Sequence, residues 1–250
     1  MEPGLYAILT GVAVLTGFID AIAGGGGLLM MPALIFAGLP PHAVLGTNKL
    51  QSMCGTSVAA WRYRKAGLFT LRGNLPGVAA AFAGASAGAL LIQRLDAQVL
   101  RLIVPLLLMA VALYTVLSPR MTDADRHARL TDRGYLQVAG GIAFYDGFFG
   151  PGTGQFFATS LVGLRGLGLT RATGLTKLLN LTSNVASGIV FAFGGQVLWL
   201  LGLCMGAGAM AGAWLGAHYA TRFGARLIRP LLVTVSLGLT GRLLWGWFAG

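Results

Sequence analysis

Residues 17–52 read GFIDAIAGGGGLLMMPALIFAGLPPHAVLGTNKLQS. The stretch is apolar almost throughout, yet it holds an aspartate (Asp20), four consecutive glycines (Gly24, Gly25, Gly26, Gly27) and a lysine in a polar run, Thr47-Asn48-Lys49-Leu50-Gln51-Ser52. About 20 apolar residues at ~1.5 Å each cross a bilayer as helix. Glycine costs a helix interior about 1 kcal/mol per residue, so four in a row break it. Irregular backbone at membrane depth survives only where it is buried in protein or lines a hydrated cavity. The stretch therefore predicts a glycine-broken or re-entrant membrane segment followed by a span with a polar centre.

The rest of the chain agrees. Its 250 residues hold 18 Lys/Arg and 7 Asp/Glu, 10% charged against 56% apolar, with a mean hydropathy of +0.75. Soluble domains carry nearer ~25% charged residues. Soluble enzyme, disordered chain and fibrous protein are excluded, leaving an all-α polytopic membrane protein. The net charge of +11 falls mostly in gaps between apolar runs, where the positive-inside rule expects it, so it implies lipid and no nucleic acid. Cys54 and Cys204 are far apart and form no CxxC pair. His42, His127 and His218 sit singly, without metal-ligand spacing. No metal or cofactor is expected, and the start, MEPGLYAILTG, reads as no signal peptide.

Apolar runs fall at roughly 5–23, 28–38, 44–61, 75–92 and 99–117, then at 135–149, 155–164, 172–193, 197–219 and 227–249, or 8–10 membrane segments. The hydrophilic stretch 118–133 divides a first repeat (1–117) from a second (134–250). The halves match by position: Asp20 with Asp146 and Gly24 with Gly150 at an offset of 126, then Gly46 with Gly174, Lys49 with Lys177, Gly84 with Gly212 and Gly88 with Gly216 at 128. Arg62, Arg64, Lys65 and Arg72 fill the gap 62–74, whose counterpart near 194–196 is uncharged, while Arg165 and Arg171 face an uncharged 39–43. A charge bias that changes side between halves predicts inverted repeats. It places 62–74, 118–133, 165–171 and 220–229 in the cytoplasm.

Each charge at the bilayer centre costs ~2.5–3.5 kcal/mol, so interior charges mark function or pairing. Four stand out: Asp20, Lys49, Asp146 and Lys177. Asn48, Gln51 and Ser52 share a helix face in the first half, and Thr176, Lys177, Asn180, Ser183 and Asn184 in the second. The second glycine break is Gly150-Pro151-Gly152-Thr153-Gly154. A helix restarting after such a break offers free N–H groups and the positive end of its dipole to an anion. The expected ligand is a small anion, bound by Gly24–Gly27, Thr47, Asn48, Lys49, Gln51 and Ser52 of one half and Gly150, Gly152, Thr153, Gly154, Thr176, Lys177 and Asn180 of the other. Asp20 and Asp146 are expected either to couple transport to protons or to neutralise the lysines.

At these residues the chain resembles the TauE/SafE family of sulfite/organosulfonate exporter-like membrane proteins. The resemblance rests on 17–52, the basic WRYRKAG (61–67), DGFFGPGTGQFF (146–157) and ATGLTKLLNLTSN (172–184), and extends over essentially the whole chain. It implies movement of a small, often sulfur-containing anion across the cytoplasmic membrane, with Asp20, the glycines and the Thr-Asn-Lys run as site residues. A secondary carrier working by alternating access is expected. An anion channel with the same lining is the alternative, and a two-aspartate intramembrane protease is disfavoured because each Asp precedes its glycines. Substrate, direction, coupling ion and oligomeric state are not set by the sequence.

Overall fold

The computed structural model describes residues 2–117, 124 and 127–223. Among these there is no strand, and nine α-helices follow one another: α1 (Pro3–Ala23), α2 (Gly26–Phe36), α3 (Pro41–Lys65), α4 (Leu75–Ile92), α5 (Ala97–Leu117), α6 (Asp132–Phe148), α7 (Thr153–Arg165), α8 (Leu169–Phe193) and α9 (Trp199–Phe223). Three helical stretches are long and apolar enough to cross a membrane: Pro3–Ala23, Arg72–Ile92 and Trp199–Phe223. The span expected at 227–249 and most of the linker 118–133 lie outside the described residues.

The local sequence explains the helix ends. Proline occupies the first turn of α1, α3 and α4, where its missing N–H costs nothing. The Thr131 hydroxyl caps α6 by accepting from the Gly134 N–H at 3.2 Å. Helix α3 does not stop at residue 61 as the hydropathy suggests but runs to Lys65, taking Arg62, Arg64 and Lys65 into its last turn. Cations there complement the negative end of the helix dipole. Helix α1 begins two residues before the expected run at 5–23, and its 21 residues measure about 31 Å. The glycine break follows a full-length helix, and the short piece is α2, with 11 residues.

Packing interleaves the halves. The largest helix contacts join α1 to α9 and α4 to α6, each pairing one half with the other. They repeat at the offsets seen in the sequence. A Cβ on Gly84 would strike the Gly140 carbonyl and one on Gly88 the Phe144 carbonyl; one on Gly212 would strike the Val14 carbonyl and one on Gly216 the Phe18 carbonyl. Helices α3 and α8 cross antiparallel in the same reciprocal way. Gly46 near the start of α3 lies against Phe191 and Gln196, and Gly174 near the start of α8 lies against Tyr63 and Leu68.

Charged segments gather at one end. Arg165 pairs with Asp132, the Arg129 and Leu130 N–H groups donate to the Leu164 carbonyl at 2.9 and 3.0 Å, and Arg62 bonds His218 Nδ1 at 2.7 Å. Buried apolar side chains form two clusters. One includes Tyr63, Phe157, Leu161 and Leu169 near the charged end; the other includes Met31, Leu34, Leu45 and Phe191 toward the opposite end. The polar centre of the molecule lies between them.

Candidate functional site

The glycine breaks of the two halves touch. A Cβ on Gly24 would lie 2.7 Å from the Gly154 Cα, and one on Gly154 would lie 2.5 Å from the Gly24 Cα. Gly24, Gly150 and Gly152 have φ of +75°, +105° and +82°, a region that side chains other than glycine rarely adopt. Both positive φ and close approach therefore require glycine here. Helices α2 and α7 restart from this contact, with Gly25 and Gly152 as their N-caps.

Around the contact, each interior lysine meets the aspartate of the other half. Lys49 Nζ lies 2.7 Å from Asp146 Oδ1, also donates to the Asp146 carbonyl, and reaches Asn184 Oδ1 at 3.4 Å. The second carboxylate oxygen, Asp146 Oδ2, accepts from Ser183 Oγ. Lys177 donates to the Asp20 carbonyl and lies 3.3 Å from Asp20 Oδ2, while Asp20 Oδ1 accepts from the Gly26 N–H at 3.3 Å. Pairing of this kind offsets much of the cost of four charges at membrane depth. The burial is uneven: Lys49, Asp146 and Lys177 are at most 2% exposed, but Asp20 is 21% exposed.

A central cavity opens between the pairs. Its wall is made of Asp20, Gly24, Gly27, Asn48, Lys49, Ser52, Asp146, Gly150, Gly152, Gly154, Asn180 and Asn184. All but Asn184 are residues that the sequence nominates, and Asn184 belongs to the same polar face of α8. The centre of a water-sized sphere has only ≈ 20 Å³ in which to move, room for about one or two waters. Asn48 Oδ1 and Thr176 Oγ1, at equivalent positions beside the two lysines, are buried without a hydrogen-bond partner. Unpartnered buried polar atoms are costly unless they serve a ligand or water.

The remaining nominated residues stand just behind this wall. Lys177 and Gly26 reach it through Asp20, and Thr153 donates to the Gly150 carbonyl at 2.7 Å, closing the turn before α7. Thr47 Oγ1 accepts from the Leu198 N–H at 3.1 Å, tying α3 to the segment before α9. Gln51 faces a second, smaller chamber between α1, α3 and α9, lined also by Thr16, Gly17, Asp20, Gly26, Gly27, Ser52, Gly55, Thr56 and Ala209. Sequence reasoning missed this chamber. Its signal is that Gly55 stands at the position matching Ser183 at an offset of 128. Among the described residues no group of His, Cys, Asp and Glu is arranged to hold a metal.

The model of the family described as "Sulfite exporter TauE/SafE" matches residues 9–243. The chain belongs to the TauE/SafE family. Its relatives include a "Probable membrane transporter protein ORF9" of a Sinorhizobium species, 48% identical over 241 residues that span 96% of this chain and 92% of the relative. Another is "Probable membrane transporter protein YfcA" of Escherichia coli K12, 43% identical over 249 residues, 98% of this chain and 91% of the relative. A "Probable membrane transporter protein" of Haemophilus influenzae is 42% identical over 247 residues, 98% and 97% of the two chains. No solved structure matches the chain. Membrane transport is thus the general role that these relatives support.

Proposed function

We propose that the protein is a multi-pass secondary transporter of the cytoplasmic membrane that carries a small anion by alternating access between inverted halves. The substrate class is sulfite, an organosulfonate or a related small carboxylate, in keeping with the family's description. The observation that carries the reading is the central cavity, where Lys49, the amide of Asn48 and the glycine starts of two half-length helices converge. A lysine supplies charge, amides and hydroxyls supply donors, and each helix start adds the positive end of a dipole. Such a discontinuous-helix site at a repeat interface is a recurrent transporter design.

The antiparallel crossing of α3 and α8 and the reciprocal glycine contacts support an inverted duplication. Alternating access has a basis in the same packing, since an apolar cluster flanks the polar centre toward each end. A cavity with room for one or two waters suits an occluded state, and a sulfonate enters only when the halves part.

Binding is tested by thermal stability of the detergent-solubilised protein against a panel of sulfite, alkanesulfonates and small carboxylates. A ligand at about 100 times its Kd stabilises the folded state by roughly 2.7 kcal/mol. A member of the panel should raise the melting temperature of the wild type and leave that of Lys49→Ala unmoved. Equal shifts in both proteins would remove Lys49 from the site.

A further inference from the structure

The two halves are equivalent in sequence at Asp20 and Asp146, so their differences in structure carry information. Asp146 is closed in: Oδ1 faces Lys49, Oδ2 faces Ser183, and only 2% of it is exposed. All three N–H groups of Lys49 have acceptors, in the Asp146 carboxylate, the Asp146 carbonyl and Asn184. Asp20 is held more loosely. Its ion pair with Lys177 is longer, 3.3 Å against 2.7 Å, and among the described residues no hydroxyl of α3 hydrogen-bonds its carboxylate, glycine (Gly55) standing where the other half has Ser183. Gly55 lines the small chamber between α1, α3 and α9. Asp20 stands in the wall of both chambers.

Charge balance gives this asymmetry a consequence. Two lysines and two aspartates sum to zero, and an anion entering their midst leaves one buried negative charge uncompensated. An unpaired charge in such a place is prohibitively costly, and two neighbouring anions raise each other's proton affinity. A proton therefore has to accompany the anion, and it goes to the carboxylate with the weaker partner and the open side.

We propose that anion binding is coupled to uptake of one proton on Asp20, delivered through the α1–α3–α9 chamber, while Asp146 stays ionised and holds Lys49 in place. The proposal rests on the anion-site reading above and names the coupling group of that site. The groups facing Asp20 fit the role. Helix α8 presents Lys177, α3 presents Lys49 and, further along, Tyr63, whose hydroxyl donates to the Ala21 carbonyl at 2.9 Å, and α6 presents Asp146. Helices α2, α7 and α9 bring no ionisable side chain to either chamber among the described residues. Protonation of Asp20 releases Lys177, whose ammonium then turns to the incoming anion. Anion and proton travel together, and binding tightens as the pH falls.

The test measures proton uptake on binding of methanesulfonate, whose own charge is constant over the range used, by purified protein in weakly buffered, sodium-free detergent solution. Sulfite and acetate serve as further probes of wild-type binding. Linkage predicts about one proton per anion for the wild type, with affinity falling up to tenfold per unit rise in pH. Asp20→Asn should take up none. Ser183→Ala, which removes one hydrogen-bond partner of Asp146 and leaves its charge in place, should keep the uptake. Gly55→Ser adds a hydroxyl to the chamber that Asp20 lines and should weaken binding relative to Gly55→Ala, which adds the same Cβ without one. Undiminished uptake in Asp20→Asn, loss of it in Ser183→Ala, or a requirement for sodium overturns the assignment. Wild-type binding without proton uptake defeats this inference and leaves the anion site standing, whereas no binding of any of the three probes defeats both.

Discussion

Asp146 meets Lys49 and Ser183 at a depth where water cannot replace them, so removing one partner leaves the other charged and unsolvated. Breaking a buried pair by deleting one member costs about 3–5 kcal/mol, while replacing both by apolar groups of similar volume is often far milder. Lys49→Met or Asp146→Leu alone should therefore lower stability by that order. The double variant should recover much of the loss, and chemical denaturation in detergent measures it. At this scale the sequence was informative: the four interior charges and the polar faces around them are the residues that line or back the central cavity. It did not show which lysine takes which aspartate. Both pairs cross between halves, because the crossing of α3 and α8 brings each lysine to the break of the other repeat. Nor could hydropathy reveal the second chamber, in whose wall Gly55 stands where the other half has Ser183.

Helix contacts in this protein are set by glycine. Gly88 and Gly212 face backbone carbonyls of the opposing helices so closely that a methyl group has no room. Overpacking of this kind costs about 1–3 kcal/mol, so Gly88→Ala and Gly212→Ala should each destabilise by that amount. Gly11, in α1 with open space around it, gives the opposite expectation: Gly11→Ala should stabilise by up to about 1 kcal/mol through helix propensity alone. Melting temperatures of the three variants check both signs. The element boundaries were legible wherever proline or glycine marks them. They were misread at the end of α3, since hydropathy penalises Arg62, Arg64 and Lys65 whereas the helix dipole favours them. The same polar content keeps α3 and α8 out of the group that hydropathy selects, though each has 25 residues, about 37 Å of helix.

At the scale of the molecule, helices of the first half pack between helices of the second, and the segments around Arg62, Asp132 and Arg165 lie at one end. Leu68 lies beside the start of α8 at Gly174, and Gly195 follows its far end. Residues 68 and 195 lie in gaps that correspond in the two halves, Gly67 matching Gly195 at the offset of 128, and the inverted arrangement predicts that they face opposite sides of the membrane. Reporter fusions should place residue 68 in the cytoplasm and residue 195 outside. Both on one side would contradict the inversion, and with it the proposed route of alternating access. The fixed offset stood out in the sequence because glycines and charges are rare enough in an apolar chain. The interleaving did not, because small residues show that helices approach closely but not which partner they approach.

Uptake into liposomes is the decisive measurement for an anion carrier built around Lys49 and Lys177. Purified protein reconstituted in lipid vesicles should move labelled sulfite or an organosulfonate faster than empty vesicles, with a rate that saturates, and Lys49→Ala combined with Lys177→Ala should abolish the difference. Transport left intact in the double variant, or no movement of sulfite, sulfonates or small carboxylates by the wild type, would contradict it.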